Sequence, residues 1–503
     1  MAYLRPGVYV EEVATLAPVT GSVSDTVAAF IGAVDRGPVV PTLVTSWANY
    51  TSLYGSWATY NKVTNAVYMF FANGGSQCYV HRVLGTGSPA TATRTFNDTN
   101  TTPANTLTIN AKNPGSWGNK ISIEILASAR GANYFNLVVY YNGNTSSNVV
   151  ERFSDLTMNV NDGVSYAITV INANSSYIVA VDAVANDSFE AADNPAVVAP
   201  SAATELAGGT DGTAPTDTVI AAAVTNFDSI TNSLVLNAPG VTASANVNSL
   251  ITYAEGRGDV FLVVDGDSGS TTATAEVSTA SAYTASANAA VYYPNLVIPD
   301  PTSNVAGATV TVPSGAAVVA KYVTTDASRG VFKSPAGLET RLANVVSVAK
   351  LSNADLDNMN SATKPVNAIR YIPGSGIVVM GARTLKATYN DRYVAIRRTL
   401  IFLRKQLSEL SAFAIFEPNN EALWARVTNT IESALVTFWQ QGGLRGVTPQ
   451  DAFYVKCDST TNTNNSIQNG EVNVEVGVAL QRPAEFIVIR ISQYDSGAVV
   501  TIS

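Results

Sequence analysis

Val260-Phe-Leu-Val-Val264 is a run of five apolar residues that ends abruptly at Asp265. A strand with one wet face alternates apolar and polar residues, whereas a run without alternation must be covered on both faces. Thr26 to Val34, closed by the turn signal Asp35-Arg36-Gly37-Pro38, and Ala289 to Tyr293 read the same way. Helix-compatible apolar spacing occupies Trp47 to Tyr54 and Thr64 to Asn73, strand character returns at Cys78 to Val83, and a Thr/Ala-rich helical stretch follows Asp265. Such β-α-β alternation implies a parallel sheet between two helical layers.

A chain of 503 residues exceeds one core, and about 150 residues per domain suggests about three domains. Residues 1–25 read as an extended arm, because Pro6-Gly7 blocks a helix and Val8-Tyr9-Val10 alternates before Val13. The α/β domain is expected over 26–87 and 207–345. Between its halves, 88–206 turns to Thr, Asn, Ser and Ala, with short alternating segments such as Ile121 to Ile125 and Asn136 to Tyr141 and an Asn-Gly turn at Asn142-Gly143. An inserted all-β domain is the expectation there. A C-terminal α+β domain is expected over 346–485, with helices from Leu385 to Phe413 and Glu421 to Gln441. On the first, Ile396, Leu400, Leu403, Leu407 and Leu410 line one face; on the second, Trp424, Val427, Ile431, Leu435, Phe438 and Trp439 do so before Gly442-Gly443 stops the helix. Strand-like Glu471 to Leu480 and Phe486 to Ile491 precede the tail Val499 to Ile502, and 486–503 reads as a terminal strand or arm.

Charged residues make up only 13% against 46% hydrophobic, which leaves much small-polar and apolar surface for partners. A formal charge of −9 argues against direct nucleic-acid binding, which needs Lys and Arg to displace phosphate counterions. Arg329 to Lys456 holds 16 of the 29 basic residues but 9 of the 38 acidic ones, a local net of +7 against −16 for the remainder. Cys78 and Cys457 cannot make a disulfide framework, so two buried free thiols in a reducing cytoplasm are expected. The first residues carry no apolar signal-peptide core, and no run of about 18 apolar residues occurs, so neither a cleaved leader nor membrane insertion is expected.

Several stretches together resemble the contractile phage tail sheath family. They are Tyr3-Leu-Arg-Pro-Gly-Val-Tyr-Val-Glu-Glu12, Phe30-Ile-Gly-Ala-Val-Asp-Arg-Gly-Pro38, Asn113-Pro-Gly-Ser-Trp-Gly-Asn119, Leu206-Ala-Gly-Gly-Thr-Asp-Gly212 and Ser334-Pro-Ala-Gly337. Asn367 to Ile372, Gly376 to Thr384, Tyr393 to Arg398 and Phe416-Glu-Pro-Asn419 continue the series in order. The resemblance implies a subtilisin-like α/β sheath domain and an inner domain whose chain ends exchange strands with neighbouring subunits. It further implies a homo-oligomeric helical sheath of six-fold rings around a tail tube, with baseplate and tail terminator proteins as partners. Assembly in the host bacterial cytoplasm and a place in the virion tail follow from the same likeness. On that reading Val8, Tyr9, Val10, Val13, Phe486, Val488, Ile489, Ile491, Val499, Val500 and Ile502 pair with adjacent copies. A donated strand fills the open N–H and C=O groups of a sheet edge, and about 6 backbone hydrogen bonds at about 1 kcal/mol each give on the order of 6 kcal/mol per arm.

No catalytic, cofactor or metal site is expected. Asp267-Ser268-Gly269 after an apolar strand invites a subtilisin-like hydrolase reading, but the single histidine, His81, stands upstream of that Asp, the wrong order for such a triad. Asp265, Asp267 and Glu276 occupy positions one, three and twelve of a calcium loop, yet its required glycine is Ser270. One histidine and two distant cysteines offer no zinc spacing, and Gly374-Ser-Gly376 lacks the third glycine of a dinucleotide loop and reads as a turn between strands. Two roles fit the cationic helices: a solvated face, or a salt-sensitive grip on an acidic tube through Arg397, Arg398, Arg404 and Lys405, with Arg426 and Arg445 as alternates. A surface-layer or adhesion protein is the alternative that the Thr/Asn/Ala composition permits.

Overall fold

A computed structural model describes residues 26–57, 61–183, 190–198 and 204–485, together with backbone pairing at 494–495 and 498–499. The chain divides into two compact units: Thr26–Thr324 with Pro335–Val394, and Thr325–Ser334 with the residues from 395 onward.

The larger unit begins with β1 (Thr26–Gly32), β2 (Thr42–Val44), α1 (Trp47–Tyr54), α2 (Asn61–Ala72) and β3 (Cys78–Arg82). The insertion then contributes β4 (Thr93–Asn97), β5 (Asn105–Ala111), β6 (Ile121–Ala127), β7 (Phe135–Tyr141), β8 (Val149–Leu156), α3 (Ala167–Asn174), β9 (Ile178–Asp182) and β10 (Thr204–Glu205). After it come α4 (Asp217–Ala222), β11 (Ser233–Asn237), α5 (Ser244–Arg257), β12 (Val260–Asp265), α6 (Ala273–Ser281) and β13 (Ala289–Tyr293). The unit closes with β14 (Leu296–Pro299), β15 (Thr309–Val312), α7 (Gly315–Arg329), β16 (Ser347–Val348), α8 (Asn353–Ser361), β17 (Val366–Ile372) and β18 (Gly376–Val379). Eight strands form one sheet in the order β18-β17-β13-β12-β11-β1-β3-β2. The six inner strands are parallel and the two edge strands antiparallel.

The unbroken apolar runs are the inner strands, buried along their whole length from β11 to β13. On one face, Leu234, Leu236, Leu262 and Val264 join Val247, Leu250 and Ile251 of α5 in a common core. On the other, Phe30 meets Phe70 of α2 edge-on at 5.5 Å, and Tyr322 of α7 packs on Phe261 and shares a 2.6 Å hydroxyl contact with Tyr292. The β18 edge is closed by its own chain, with Gly337 N donating to Val379 O and Leu342 N to Ile377 O. Gly374 and Gly376, both at φ +83, make the β17–β18 turn.

Two expectations change here. The boundary at 346 falls inside the larger unit, because β17 pairs with β13 and draws 366–379 into the sheet. The helix expected from Leu385 starts at Val394 instead. Thr384 holds the preceding residues in a turn, its N–H on Arg392 O and its hydroxyl on Asp391 O, an alternative to helical bonding.

The insertion has its own core, with Leu107, Ile109, Trp117, Ile123, Ile125, Leu137 and Val139 enclosed between the sheets β10-β6-β7-β8 and β4-β5-β9. It is not purely β: α3 closes one side through Ala167 and Ile171. Asn142-Gly143, both at positive φ, turns the chain after β7.

The smaller unit contains α9 (Val394–Leu410, from 395 on), α10 (Glu421–Gln440), α11 (Pro449–Ala452), β19 (Phe453–Lys456), α12 (Asn464–Gln468) and β20 (Glu475–Val478). Asn420 caps α10 by accepting from Leu423 N at 3.0 Å. Gly442, at φ +82, ends it, with Gly443 N on Phe438 O. Leu423, Val427, Ile431, Leu435 and Phe438 form the α10 stripe of a core that takes in Leu403 and Val331.

Candidate assembly surfaces

The end of β12 is where open parallel sheets commonly bind ligands, and here its carboxylates accept structural hydrogen bonds. The buried Asp265 carboxylate accepts from Gly240 N (2.9 Å), Asn237 Nδ2 (3.2 Å) and Gly315 N. Burial pushes this carboxyl up, and those hydrogen bonds oppose the shift. Glu276, also fully buried, accepts from Asp267 N at 2.9 Å, and burial pushes it up to about 7. Thr242 Oγ1 holds Asp267 at 2.9 Å. Among the described residues no group of three His, Cys, Asp or Glu side chains could hold a metal ion.

His81 is buried on β3, with Nε2 2.9 Å from Asn226 Nδ2 and its ring edge-on to Phe227 at 5.8 Å. Burial lowers it to about 4, so it is neutral at pH 7. Two strands, β1 and β11, separate β3 from β12. At about 4.8 Å per strand that is about 14 Å, several times a hydrogen-bond length.

The six cationic candidates separate by environment. Arg398 is 3% exposed and forms a bidentate pair with Asp326, itself 2% exposed, with Nη1 2.8 Å from Oδ1. It therefore presents no charge to a partner, which removes it from the tube-facing set. Arg404, Arg426 and Arg445 are exposed, Arg397 and Lys405 half-buried. Lys405 lies 3.9 Å from Glu409, and Arg426 stacks over Phe413 at 4.3 Å.

β19 and β20 form a two-stranded antiparallel sheet running from Phe453↔Val478 to Lys456↔Glu475. Phe453, Val455, Val476 and Val478 are only partly buried against the core beneath. Two strands alone are marginal in water, so such a sheet gains from additional strands. Of the proposed donors, Val8, Tyr9, Val10, Val13, Phe486, Val488, Ile489, Ile491, Val500 and Ile502 lie outside the described residues. Val499 pairs with Tyr494 in a short antiparallel bridge.

Ile415 and Phe416 were not legible as surface residues from sequence. Phe416 is fully exposed at φ +65, an unusual conformation for an aromatic residue. The loop is braced beneath it: Asn419 accepts from Trp424 Nε1 at 2.8 Å and donates to Glu471 O at 2.9 Å. The Phe416-Glu-Pro-Asn419 motif was the available signal.

Residues 390–493, which take in nearly the whole described part of the smaller unit, match the phage tail sheath C-terminal domain. The whole chain also has the fold of solved contractile sheath proteins. It covers 98% of the sheath of an extracellular contractile injection system (PVC, contracted state), with 98% of itself aligned, 24% identity and a TM-score of 0.57. For the helical sheath of the anti-feeding prophage in its contracted state the match is 22% identity and TM-score 0.59, over 98% of this chain and 100% of that one. For the sheath tail protein Lin1278 from Listeria innocua it is 14% identity and TM-score 0.62, over 92% and 96%. No curated protein matches the chain. The segment that matches the sheath C-terminal domain thus carries the exposed cations, the Phe416 loop and the two-stranded sheet, all on the smaller unit.

Proposed function

We propose that this chain is the structural subunit of a contractile tail sheath, which polymerises as a helix around an inner tube and shortens to drive that tube through a cell envelope. The observation that carries the reading is that the likeness to contractile sheaths runs over 98% of both chains, through both compact units. On this reading the α/β unit is a subtilisin-like scaffold used without its chemistry, as the hydrogen-bonded Asp265 at the β12 terminus and the distant, neutral His81 favour. The chain ends complete sheets in adjacent copies, with β19–β20 as the acceptor. Arg404, Arg426 and Arg445, with Arg397 and Lys405 partly covered, grip an acidic tube through screened charge that salt releases. Baseplate and terminator proteins bound the polymer in a virion-like tail. Contraction draws its energy from new contacts between copies, and no nucleotide is hydrolysed.

Negative-stain electron microscopy of the purified full-length protein tests the class: striated tubes are expected, and particles that stay single at every concentration would remove it. Deleting Met1 to Thr15 is expected to leave a folded monomer. If the shortened protein still forms tubes of full length, the arm is not the donor.

A further inference from the structure

Two motifs far apart in sequence, Asn113–Asn119 and Leu206–Gly212, meet at the base of the insertion. Asn119 Nδ2 donates to Gly209 O at 2.8 Å, and Gly209 N donates to Asn119 Oδ1 at 2.8 Å. Ser116 Oγ donates to Asp211. The incoming and outgoing chains are laddered, with Ala90 and Thr210 exchanging both backbone bonds at 3.0 Å and Thr93 and Ala207 doing the same at 2.8 and 3.1 Å. At Gly85 a Cβ would fall 1.3 Å from the Thr213 carbonyl oxygen, so only glycine allows the crossing.

Two arginines of the α/β part close this neck. Arg82, 1% exposed at the end of β3, uses all five of its N–H donors. Nε reaches Val34 O at 2.7 Å, Nη1 reaches Gly37 O at 3.1 Å and Pro114 O at 2.7 Å, and Nη2 reaches Asp35 O at 2.9 Å and Asp211 Oδ1 at 3.5 Å. One guanidinium therefore bonds the turn after β1 and both insertion motifs at once. Arg36 donates to Thr51 O and Ser52 O at 3.0 and 3.1 Å, while its guanidinium lies 5.1 Å from the Tyr141 ring and 4.8 Å from the Tyr177 ring, both in the insertion.

We propose that Arg82 and Arg36 are positioning residues that lock the inserted domain to the eight-stranded sheet, so that the two move as one rigid body. A decorative domain needs only a flexible tether. This neck instead holds a desolvated, fully bonded cation whose partners come from both sides. On the sheath reading, any contact the insertion makes with a neighbouring copy is transmitted to the sheet.

Hydrogen exchange on the full chain tests this with Arg82→Lys, which keeps the charge but loses the fork, and with Arg36→Met, which removes the cation from the Tyr141 and Tyr177 ring faces. The amides of Ala90, Thr93, Ala207, Thr210 and Thr213 are expected to exchange at least tenfold faster in both variants, while those of β6, β7 and β12 keep their wild-type rates. Neck amides that stay within twofold of wild type overturn the proposal, as does a uniform acceleration of all these amides by one factor. Should Arg82→Lys fail to fold, Arg36→Met decides by the same criterion.

Discussion

Replacing Arg398 by Met removes the guanidinium from Asp326 and leaves that carboxylate 2% exposed without it. Breaking a buried pair from one side costs about 3–5 kcal/mol, because the remaining charge stays desolvated, while replacing both partners by apolar groups of similar volume is near neutral. Arg398→Met is therefore expected to destabilise the smaller unit by about 4 kcal/mol. Arg398→Met with Asp326→Leu is expected to recover most of it, a coupling of about 3 kcal/mol. Arg404→Met, at an exposed position of the same helix, is expected to stay within about 0.5 kcal/mol. With two compact units, a single unfolding free energy for the chain is not well defined. The readout is native-state hydrogen exchange of the α10 amides, which report the core that Leu403 of α9 shares with α10. A loss below about 1 kcal/mol for Arg398→Met, or a double variant as unstable as the single one, would refute the buried-pair reasoning.

Two further outcomes follow from single groups. The Glu276 carboxyl is raised to about 7 by burial from an ordinary 4.5, so the folded state binds its proton more tightly than the unfolded chain. The stability this contributes is full below pH 4.5 and is lost as pH rises through 7, an effect of about 3 kcal/mol at most. Glu276→Gln should flatten the fall in urea midpoint of the larger unit between pH 5 and pH 8, and an unchanged slope would show that Glu276 does not titrate there. Phe416→Gly relieves a positive φ without uncovering any core, so the smaller unit should gain up to about 1 kcal/mol by α10 exchange. A loss would mean that the ring packs against its own subunit.

What was legible in the sequence is what local pattern encodes. The unbroken run from Val260 to Val264, rich in β-branched residues, reads as a doubly covered strand, and β12 is buried throughout. Alternation and the Asn142-Gly143 turn gave away the insertion, although the alternation around it concealed α3. The boundary at 346 was misplaced because the partner of β17 is β13, about seventy residues earlier, and a long-range pairing leaves no mark near either strand. Arg398 shares a helix with Arg404, yet it is buried against Asp326, 72 positions away, while Arg404 is exposed, and a pairing that distant leaves no local mark. Arg82 and Arg36 carried no signal as a clasp, since their bonds run to backbone carbonyls and ring faces that no spacing rule specifies. Asp265 and Glu276 shared a sequence pattern with a calcium loop, yet backbone amides already occupy both carboxylates.

The ladder between Ala90 and Thr210 brings the two ends of a stretch of well over a hundred residues to within about 5 Å of each other. A segment that leaves and returns at one point is a cassette: it can lengthen, shrink or be exchanged without disturbing the strand order on either side. What any replacement must supply is small and specific, namely a carbonyl where Pro114 now meets Arg82 and ring faces where Tyr141 and Tyr177 meet Arg36. Grafting at this position is thus governed by the contacts to Arg82 and Arg36, and the rest of the inserted stretch is free to diversify.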